Sequence, residues 1–116
     1  MKIFEQFYNF HDALLLSFKF EYQSAEFVML ARDENDWKKV VLHIKDIKEF
    51  KIHEKSNVAW NVLSMGIAMM ESENLYHFSF DPYTLVPNGV EDYKKSNFYI
   101  AATDFEFKVY NLQEEV

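Results

Sequence analysis

The chain has 116 residues, enough for one domain with a buried core, and 49% of them are hydrophobic, which excludes an intrinsically disordered protein. Its formal net charge of -7 arises from 19 acidic and 12 basic residues and disfavours nucleic acid and anionic membranes as partners. Cysteine is absent, which excludes disulfides, zinc–thiolate sites and thiol nucleophiles.

No stretch of the sequence is apolar over the roughly 20 residues that a membrane span needs. Glu5 and Asp12 interrupt the apolar residues near the N-terminus, so no signal peptide is predicted. We therefore expect a single globular domain over residues 1–116, located in the cytoplasm.

Two segments at the N-terminal end predict a short helix and a strand. Apolar residues spaced by three and four over residues 1–12 suit one or two turns of amphipathic helix. Residues 13–22 alternate apolar and polar side chains, which predicts a strand with one face in the core. The apolar side chains that this alternation places inward are Leu14, Leu16, Phe18, Phe20 and Tyr22.

The strand predicted at residues 26–32 follows a turn and completes a hairpin with the first strand. Its inward face is either Phe27 with Met29 or Val28 with Leu30, because both sets are apolar. The alternation does not choose between them.

A third strand is predicted at residues 38–44. The side chains on its two sides are Val40, Leu42 and Ile44, and Lys39, Val41 and His43. Three apolar residues follow Asp46, namely Ile47, Phe50 and Ile52. Their spacing suits either a short strand or a turn of helix.

The apolar segment from Val58 to Met70 has two interpretations. It suits a buried helix with a polar N-cap, or a strand with alternate residues from Leu63 to Met69 on one face. We favour the strand, because residues 71–74 then form the turn of a hairpin into a strand at residues 75–81. The last of these strands alternates Tyr76, Phe78 and Phe80 with His77 and Ser79.

The remaining sequence predicts a long loop and a last strand with an irregularity. Both prolines lie within residues 81–97, which favours a loop there. Apolar residues occupy even positions over residues 98–102 but odd positions over residues 105–109. Because a one-residue slip exchanges the faces of a strand, we predict a β-bulge or a bend at Thr103 and Asp104.

These elements together predict a mainly β fold, with α+β as the wider class. The strands are expected to form a single antiparallel sheet or a two-layer β-sandwich built from hairpins, with a short N-terminal helical segment.

His11 and Asp12 are the candidates for a catalytic or ligand-binding site. A histidine beside an aspartate can orient an imidazole for acid–base chemistry or contribute to a metal site. The pair precedes a predicted strand, however, where short polar side chains commonly satisfy backbone groups of a turn. We therefore favour a structural turn and keep catalysis by His11 and Asp12 as the alternative.

Other residue types that carry chemistry form no recognisable site. His43 and His77 are expected on the polar faces of strands and would meet if those strands were neighbours. Four apolar residues suit either ordinary core or a hydrophobic groove, and these are Trp60, Met65, Met69 and Met70. Many carboxylates fall in predicted turns, where solvated charges are expected, and these include Asp33, Glu34, Asp36, Glu71, Glu73, Asp81, Glu91 and Asp92.

The sequence lacks the signatures of nucleotide-binding and hydrolase sites. Two glycines are too few for a Gly-rich phosphate loop, and neither Gly-x-Ser-x-Gly nor His-Glu-x-x-His occurs. We predict neither a cofactor nor a metal ion.

The segments FHDALLLSFKF, VVLHIKDIKEF, YHFSFDP and FYIAATDFEF together resemble a group of small bacterial single-domain proteins. Some members are uncharacterised, and others are immunity proteins of contact-dependent or polymorphic toxin systems. The resemblance implies a non-enzymatic protein that neutralises a toxin by binding it. It carries over no site residue.

Two classes of function are compatible with these observations. A non-enzymatic protein-interaction module would use its acidic surface to meet a protein partner, for which a basic toxin domain is one example. A small-ligand-binding module or unrecognised hydrolase would use a pocket among the aromatic residues, with His11 and Asp12 at its mouth. We favour the first class, whereas an enclosed pocket with converging polar groups would favour the second.

Overall fold

One antiparallel sheet of six strands is the frame of the computed structural model, which describes residues 2–52, 63, 66–81 and 89–112. The helices are α1 (Lys2–Gln6) and α2 (Val90–Lys94), and Tyr8–Phe10 forms a 3₁₀ turn. The strands are β1 (Leu14–Glu21), β2 (Ser24–Arg32), β3 (Trp37–Ile52), β4 (Ala68–Ser72), β5 (Leu75–Ser79) and β6 (Phe98–Asn111). Their order across the sheet is β1-β2-β3-β6-β5-β4.

The predicted mainly β fold is therefore confirmed, in its single-sheet form and with the short N-terminal helix. Each of the two helices has five residues. In the described ranges, no helix has the length and apolar character needed to span a membrane.

The two longest strands, β3 and β6, form the middle of the sheet. They have 16 and 14 residues and pair with each other along most of their length. β1 and β2 pair beside the first half of β3, whereas β4 and β5 pair beside the first half of β6. The sheet therefore has a β1–β2 wing and a β4–β5 wing at opposite ends of the central pair.

One face of the sheet, called the inner face, holds the main hydrophobic core. The N-terminal segment lies against it and contributes the buried rings of Phe4, Phe7 and Phe10. The ring of Phe10 stacks on those of Phe7 and Phe107, with centroids 5.5 and 5.7 Å away. Such pairs contribute about 0.5–1.5 kcal/mol each beyond burial, so the aromatic residues explain why a five-residue helix stays in place.

The structure corrects the predicted faces of β1. A β-bulge between Leu15 and Ser17 shifts the register against β2. Leu15 and Phe18 consequently both pack in the inner core. The expectation that Leu14 and Leu16 share this buried face was wrong, because the extra residue of a bulge exchanges the faces of the strand.

The hairpin of β1 and β2 is confirmed. The predicted inward position of Tyr22 was wrong. Tyr22 is 97% exposed and has a φ of 59°, because it belongs to the turn rather than to the strand. The inward-facing residues of β2 are Phe27 and Met29, so Val28 and Leu30 point to the other face. Phe27 with Met29 is therefore the inward face of β2, which is one of the two faces that the sequence allowed.

The last strand changes face at the predicted position. Ala102 and Phe105 both contact the inner core although they are three positions apart, so the phase changes at Thr103 and Asp104. The pairing of β6 with β3 stays in register across these residues. The irregularity is therefore a bend that both strands share, which was one of the two predicted forms.

β3 bends at the same place. Asp46 has a φ of 54°, and its carboxylate accepts a hydrogen bond of 2.6 Å from the Thr103 hydroxyl. This bond, together with Lys48, lowers the pKa of the Asp46 carboxyl. A register shift follows between Ile47 and Glu49, on β3 rather than on β6, and β3 then continues as a strand to its end.

The hairpin of β4 and β5 is confirmed. Its turn residues Glu73 and Asn74 have φ values of 55° and 65°, which suits a tight hairpin turn. Of the segment from Val58 to Met70, Leu63 forms an isolated bridge with Ala13, and residues 68–70 belong to β4. The strand-or-helix question for residues 58–62, 64 and 65 lies outside the described residues.

The predicted loop over residues 81–97 contains α2, so the prediction was wrong for Val90–Lys94. Five residues are too few to show a helical period in the sequence, which explains the miss. The remaining part of this segment, residues 82–88, lies outside the described residues.

Candidate interaction surface

The face of the sheet opposite the inner core, called the outer face, is covered at one wing. α2 packs against β5 at the β4–β5 wing, where Tyr93, Tyr99 and Ala101 form a second buried cluster. At the β1–β2 wing, the outer side chains are half-buried or exposed. This second half of the outer face is the candidate surface.

A hydrogen-bonded chain of side chains crosses the covered half. Nδ1 of His77 lies 2.8 Å from the Tyr99 hydroxyl, which donates to the Glu49 carboxylate at 3.2 Å. Nε2 of His77 lies 3.3 Å from the Ser72 carbonyl oxygen. Burial, with a smaller effect of the Glu49 charge, raises the pKa of Tyr99 well above its usual value.

The hydrogen bonds of this chain hold its side chains in place. A tyrosine with a raised pKa stays protonated at neutral pH, so the Tyr99 hydroxyl acts as a hydrogen-bond donor and not as a base. Ser96, which follows α2, is fixed in a similar way by a 2.7 Å bond between its hydroxyl and that of Ser79. Each buried side-chain nitrogen or oxygen in the described ranges has a hydrogen-bond partner.

The outer side chains of the β1–β2 wing form three successive rows across the strands, and with Leu16 they are called the open face. The first row is Arg32 and Trp37. The second row is Leu14, Leu30, Lys39 and Tyr110. The third row is Ser17, Val28, Val41 and Lys108.

The centre of the open face is apolar. Val28, Leu30 and Val41 are half-buried and belong to neither core cluster. Leu16 is 55% exposed and Trp37 is 38% exposed. An antiparallel sheet with one face in water normally carries polar side chains there, and contiguous apolar surface commonly marks an interaction site.

Among the described side chains, the open face carries three cations and no carboxylate, although the chain has a net charge of -7. Arg32 lies on β2 in the first row, Lys39 on β3 in the second, and Lys108 on β6 in the third. The ammonium group of Lys39 lies 5.5 Å from the centre of the Tyr110 ring. Neither Arg32 nor Lys108 forms an ion pair with any residue that the structure describes.

A row of mixed charge borders the open face. This fourth row contains Lys19, Glu26, His43 and Glu106. The Glu106 carboxylate lies 3.5 Å from Nζ of Lys45 and 3.9 Å from Nδ1 of His43. The carboxylates of Glu26 and Glu106 therefore border the third row of the open face.

The sequence candidates His11 and Asp12 lie in an exposed turn before β1. Asp12 has a φ of 60°, and its backbone N–H donates to the Leu63 carbonyl at 2.9 Å. Gly66 packs so closely against this turn that a Cβ atom there would lie 2.2 Å from the Asn9 carbonyl oxygen. Main-chain contacts therefore fix the turn, whereas the two side chains form no hydrogen bond or ion pair with other described residues.

The remaining sequence candidates do not come together. β3 and β5 lie on opposite sides of β6, so His43 and His77 are not on neighbouring strands. His77 is buried, which corrects its predicted place on a polar surface. Met69 packs on the inner cluster and Met70 on the outer one, so they do not line one groove. Two other candidates lie outside the described residues, namely Trp60 and Met65.

Three clefts lined by described residues do not involve His11 or Asp12. One cleft lies beside Tyr76 and Phe105, a second beside Tyr8 and a third beside Tyr99, and all three are open to solvent. No three histidine, aspartate or glutamate side chains in the described ranges are grouped to hold a metal ion.

No protein-family model, curated protein or solved structure matches this chain. The resemblance to immunity proteins therefore stays a prediction, and function must be inferred from the surface itself.

The open face was not among the sequence candidates, although one signal for it exists. Phe27 and Met29 alternate with Val28 and Leu30, so β2 is apolar on both sides. Two-sided apolar strands are usually buried on both faces. In this protein the second apolar side is instead the centre of the open face.

Proposed function

We propose that this protein is a non-enzymatic protein-interaction module that binds a partner protein through its open face. The observation that carries this proposal is the apolar centre formed by Val28, Leu30 and Val41, where the described residues build no buried cluster.

The energetics of side-chain burial support the proposal. Full burial of a valine or leucine stabilises by about 1.5–3 kcal/mol relative to exposure, and part of this free energy is not realised on the open face. A partner that covers the apolar centre would gain this free energy on binding. Trp37 lies at the edge of the same surface, and tryptophan is enriched among the residues that dominate binding energy.

Neutralisation of a toxin domain, which the resemblance to immunity proteins implies, is one form of this function. A toxin gene beside the gene for this protein would support that form. The absence of cysteine is compatible with action in a reducing cytoplasm, which is the location that we propose.

The alternative, a small-ligand-binding module or hydrolase that uses His11 and Asp12, has less support. Their side chains are exposed and make no bond with other described residues, and the described clefts lie elsewhere. A hydrolase activity of the parent that is lost in folded His11→Ala and Asp12→Ala variants would favour this alternative.

Two matched double variants test the proposed function. Val28→Thr/Val41→Thr makes the open face polar, whereas Phe50→Thr/Ile52→Thr removes two exposed apolar residues at the far end of β3. Threonine suits a strand, so both variants should fold, which a thermal melt checks. The three proteins are then used as bait in a lysate of the source organism, and any retained protein is purified for calorimetric titration.

We expect a partner that binds the parent and the Phe50→Thr/Ile52→Thr variant with similar affinity. Its affinity for the Val28→Thr/Val41→Thr variant should fall at least tenfold, which corresponds to about 1.4 kcal/mol. Equal binding to all three proteins, or no partner for the parent, would contradict the proposed function.

A further inference from the structure

We infer that the partner protein is a second copy of this chain, and that two copies pack open face to open face with their β2 strands antiparallel. This inference rests on the proposed function, because it names the protein that covers the same surface. It differs from the basic partner that the net charge of the whole chain suggests.

The outer side of β2 carries a self-complementary pattern. Along the strand, its side chains are Glu26 in the bordering fourth row, then Val28, Leu30 and Arg32 on the open face. The two apolar residues lie at the middle, and the opposite charges lie at equal distances from it. A second β2 that runs antiparallel over the first therefore places each Arg32 against a Glu26. The same symmetry places each Val28 against a Leu30.

Glu26 and Arg32 are available for this pairing. Both side chains are exposed, and neither forms an ion pair with any residue that the structure describes. Six positions along one strand separate them by about 20 Å, so they do not reach each other within one chain. A second copy would supply a counter-charge for both.

The charges also select the direction of the two-fold axis. Facing sheets that keep their strands aligned can be related by an axis along the strands or by an axis across them. An axis along β2 would place Arg32 of one copy against Arg32 of the other, whereas an axis across β2 places Arg32 against Glu26. Because like charges in contact oppose association and opposite charges fix the register, the axis runs across the strands.

The strands on either side of β2 add apolar contacts to this arrangement. Leu14 and Leu16 of β1 lie beside the apolar centre on one side, and Val41 and Trp37 of β3 lie beside it on the other. Facing sheets lie about 10 Å apart, which lets the side chains of the two layers interdigitate. The contact therefore has an apolar centre with charge pairs at its ends, as specific interfaces do.

Charges next to the open face complement each other in the same arrangement. The turn after β2 carries the exposed residues Glu34 and Asp36 beyond the first row. Lys45 lies beyond the fourth row on β3, where its side chain is 38% exposed beside Glu106. An axis across the strands brings the acidic turn of one copy toward Lys45 of the other.

The cations nearer to β6 take no defined part in this contact. Facing sheets cross at about 30°, so rows that coincide at β2 are displaced by about 5 Å at β6, two strands away. Lys39 lies over the Tyr110 ring of its own chain, and Lys108 lies one row from Glu106. The specificity of the contact is therefore assigned to Arg32 and Glu26.

The size and charge of the contact predict a weak dimer. Four strands about 4.8 Å apart and four rows about 6.8 Å apart give a footprint of about 500 Å², whereas standard interfaces bury about 800 Å² per partner. Two chains that each carry a net charge of -7 also repel each other at long range. We therefore expect a dissociation constant in the micromolar range.

The direct test exchanges charges between two variants of the full chain. Arg32→Glu and Glu26→Arg each place like charges together at both ends of the dimer, so each should self-associate at least tenfold more weakly than the parent. In an equimolar mixture, the carboxylate introduced at position 32 of one variant meets the guanidinium introduced at position 26 of the other. The unchanged Glu26 and Arg32 meet in the same way, so the mixture should associate about as strongly as the parent.

Sedimentation equilibrium over a series of concentrations measures this association, and a thermal melt checks that each variant folds. Lys2→Glu and Glu5→Arg are the matched controls, because they reverse exposed charges on α1, which packs on the inner face. Both controls should associate like the parent. Val28→Thr/Val41→Thr should associate at least tenfold more weakly, because it makes the apolar centre polar.

The outcomes separate this inference from the proposed function. Three results would overturn the inference: a parent that is monomeric at every concentration, charge reversals at positions 26 and 32 that act no more than the α1 controls, or a mixture that associates no better than its components. If a different purified protein then still loses affinity for the Val28→Thr/Val41→Thr variant, the proposed function stands without the inference. If no protein, a second copy included, depends on the open face, the proposed function itself fails.

Discussion

Asp33 fixes the turn between β2 and β3. Its carboxylate accepts hydrogen bonds from the backbone N–H groups of Asn35 and Asp36, each at 2.8 Å, and from the Lys38 ammonium group. The residue is only 5% exposed. These bonds, of which the one from Lys38 has the largest effect, hold the pKa of the Asp33 carboxyl well below its usual range.

The lowered pKa predicts how stability depends on pH. A carboxyl whose pKa falls on folding stabilises the native state above its unfolded pKa of about 3.9 and loses this effect as pH falls through the native value. Asp33→Asn should therefore be less stable than the parent near neutral pH. The difference in stability between the two proteins should narrow below about pH 4. Thermal melts of both proteins across this pH range measure this difference.

The exposed neighbour Glu34 supplies the control for this experiment. Glu34→Gln removes the same charge from the same turn, and exposed substitutions usually change stability by less than about 0.5 kcal/mol. If the stability difference between Asp33→Asn and the parent does not change with pH, the role of the ionised carboxylate is contradicted.

The bulge in β1 decides which residues reach the open face. Leu15 and Phe18 pack inward on either side of it, so Leu14 and Leu16 are left for the outer face. Two residues separate Leu15 from Phe18. In a strand without the bulge, only one residue would separate two neighbouring inward-facing side chains. The bulge therefore adds apolar surface to the outer side of β1 without a loss from the core.

Deletion variants test this account of β1. Deleting Leu16 restores regular alternation and keeps Leu15 and Phe18 inward, so it should cost less than about 1 kcal/mol of stability. Deleting Lys19 instead forces Phe18 or Phe20 out of the core and should cost about 3 kcal/mol or more. Urea melts compare the two, and a Leu16 deletion that destabilises as much as the Lys19 deletion would contradict the bulge.

The strands that were predicted correctly differ from β1 in one physical respect. In β5, Tyr76 and Phe78 alternate with the polar residues His77 and Ser79, so the sequence identifies the apolar face of the strand. In β1, Leu14, Leu15 and Leu16 are all apolar, so the sequence alone does not fix which of them faces inward. Turn and helix details such as α2 depend on tertiary contacts, because five residues carry too little local signal.

At the scale of the whole molecule, the two wings treat the outer face differently. At the β4–β5 wing, α2 and the buried cluster around Tyr93 and Tyr99 cover it. Burial raises the pKa of Tyr93 to about 12, which reflects the low polarity beneath the helix. At the β1–β2 wing the same face is the open face, so one sheet combines a covered structural half with an accessible half.

This asymmetry explains why the candidate site was not predicted from the sequence. Whether Val28 and Val41 are core or surface depends on the strand order and on which side the helices pack, and neither is a local property. His11 and Asp12 drew attention as a pair of reactive residue types, yet the chemistry of an interaction surface lies in exposed apolar and basic residues instead.

The central claim is that the apolar residues of the open face do not belong to the core of the protein. The adjacent residues Val40 and Val41 give the most direct test, because Val40 is fully buried on the inner face whereas Val41 lies on the open face. Urea unfolding of Val40→Thr and Val41→Thr measures the free energy of the same chemical change on the two sides of β3. We predict a loss of about 1–3 kcal/mol for Val40→Thr, which buries a hydroxyl, and less than about 0.5 kcal/mol for Val41→Thr. Equal losses for the two variants would show that Val41 is part of the core and would contradict the open face.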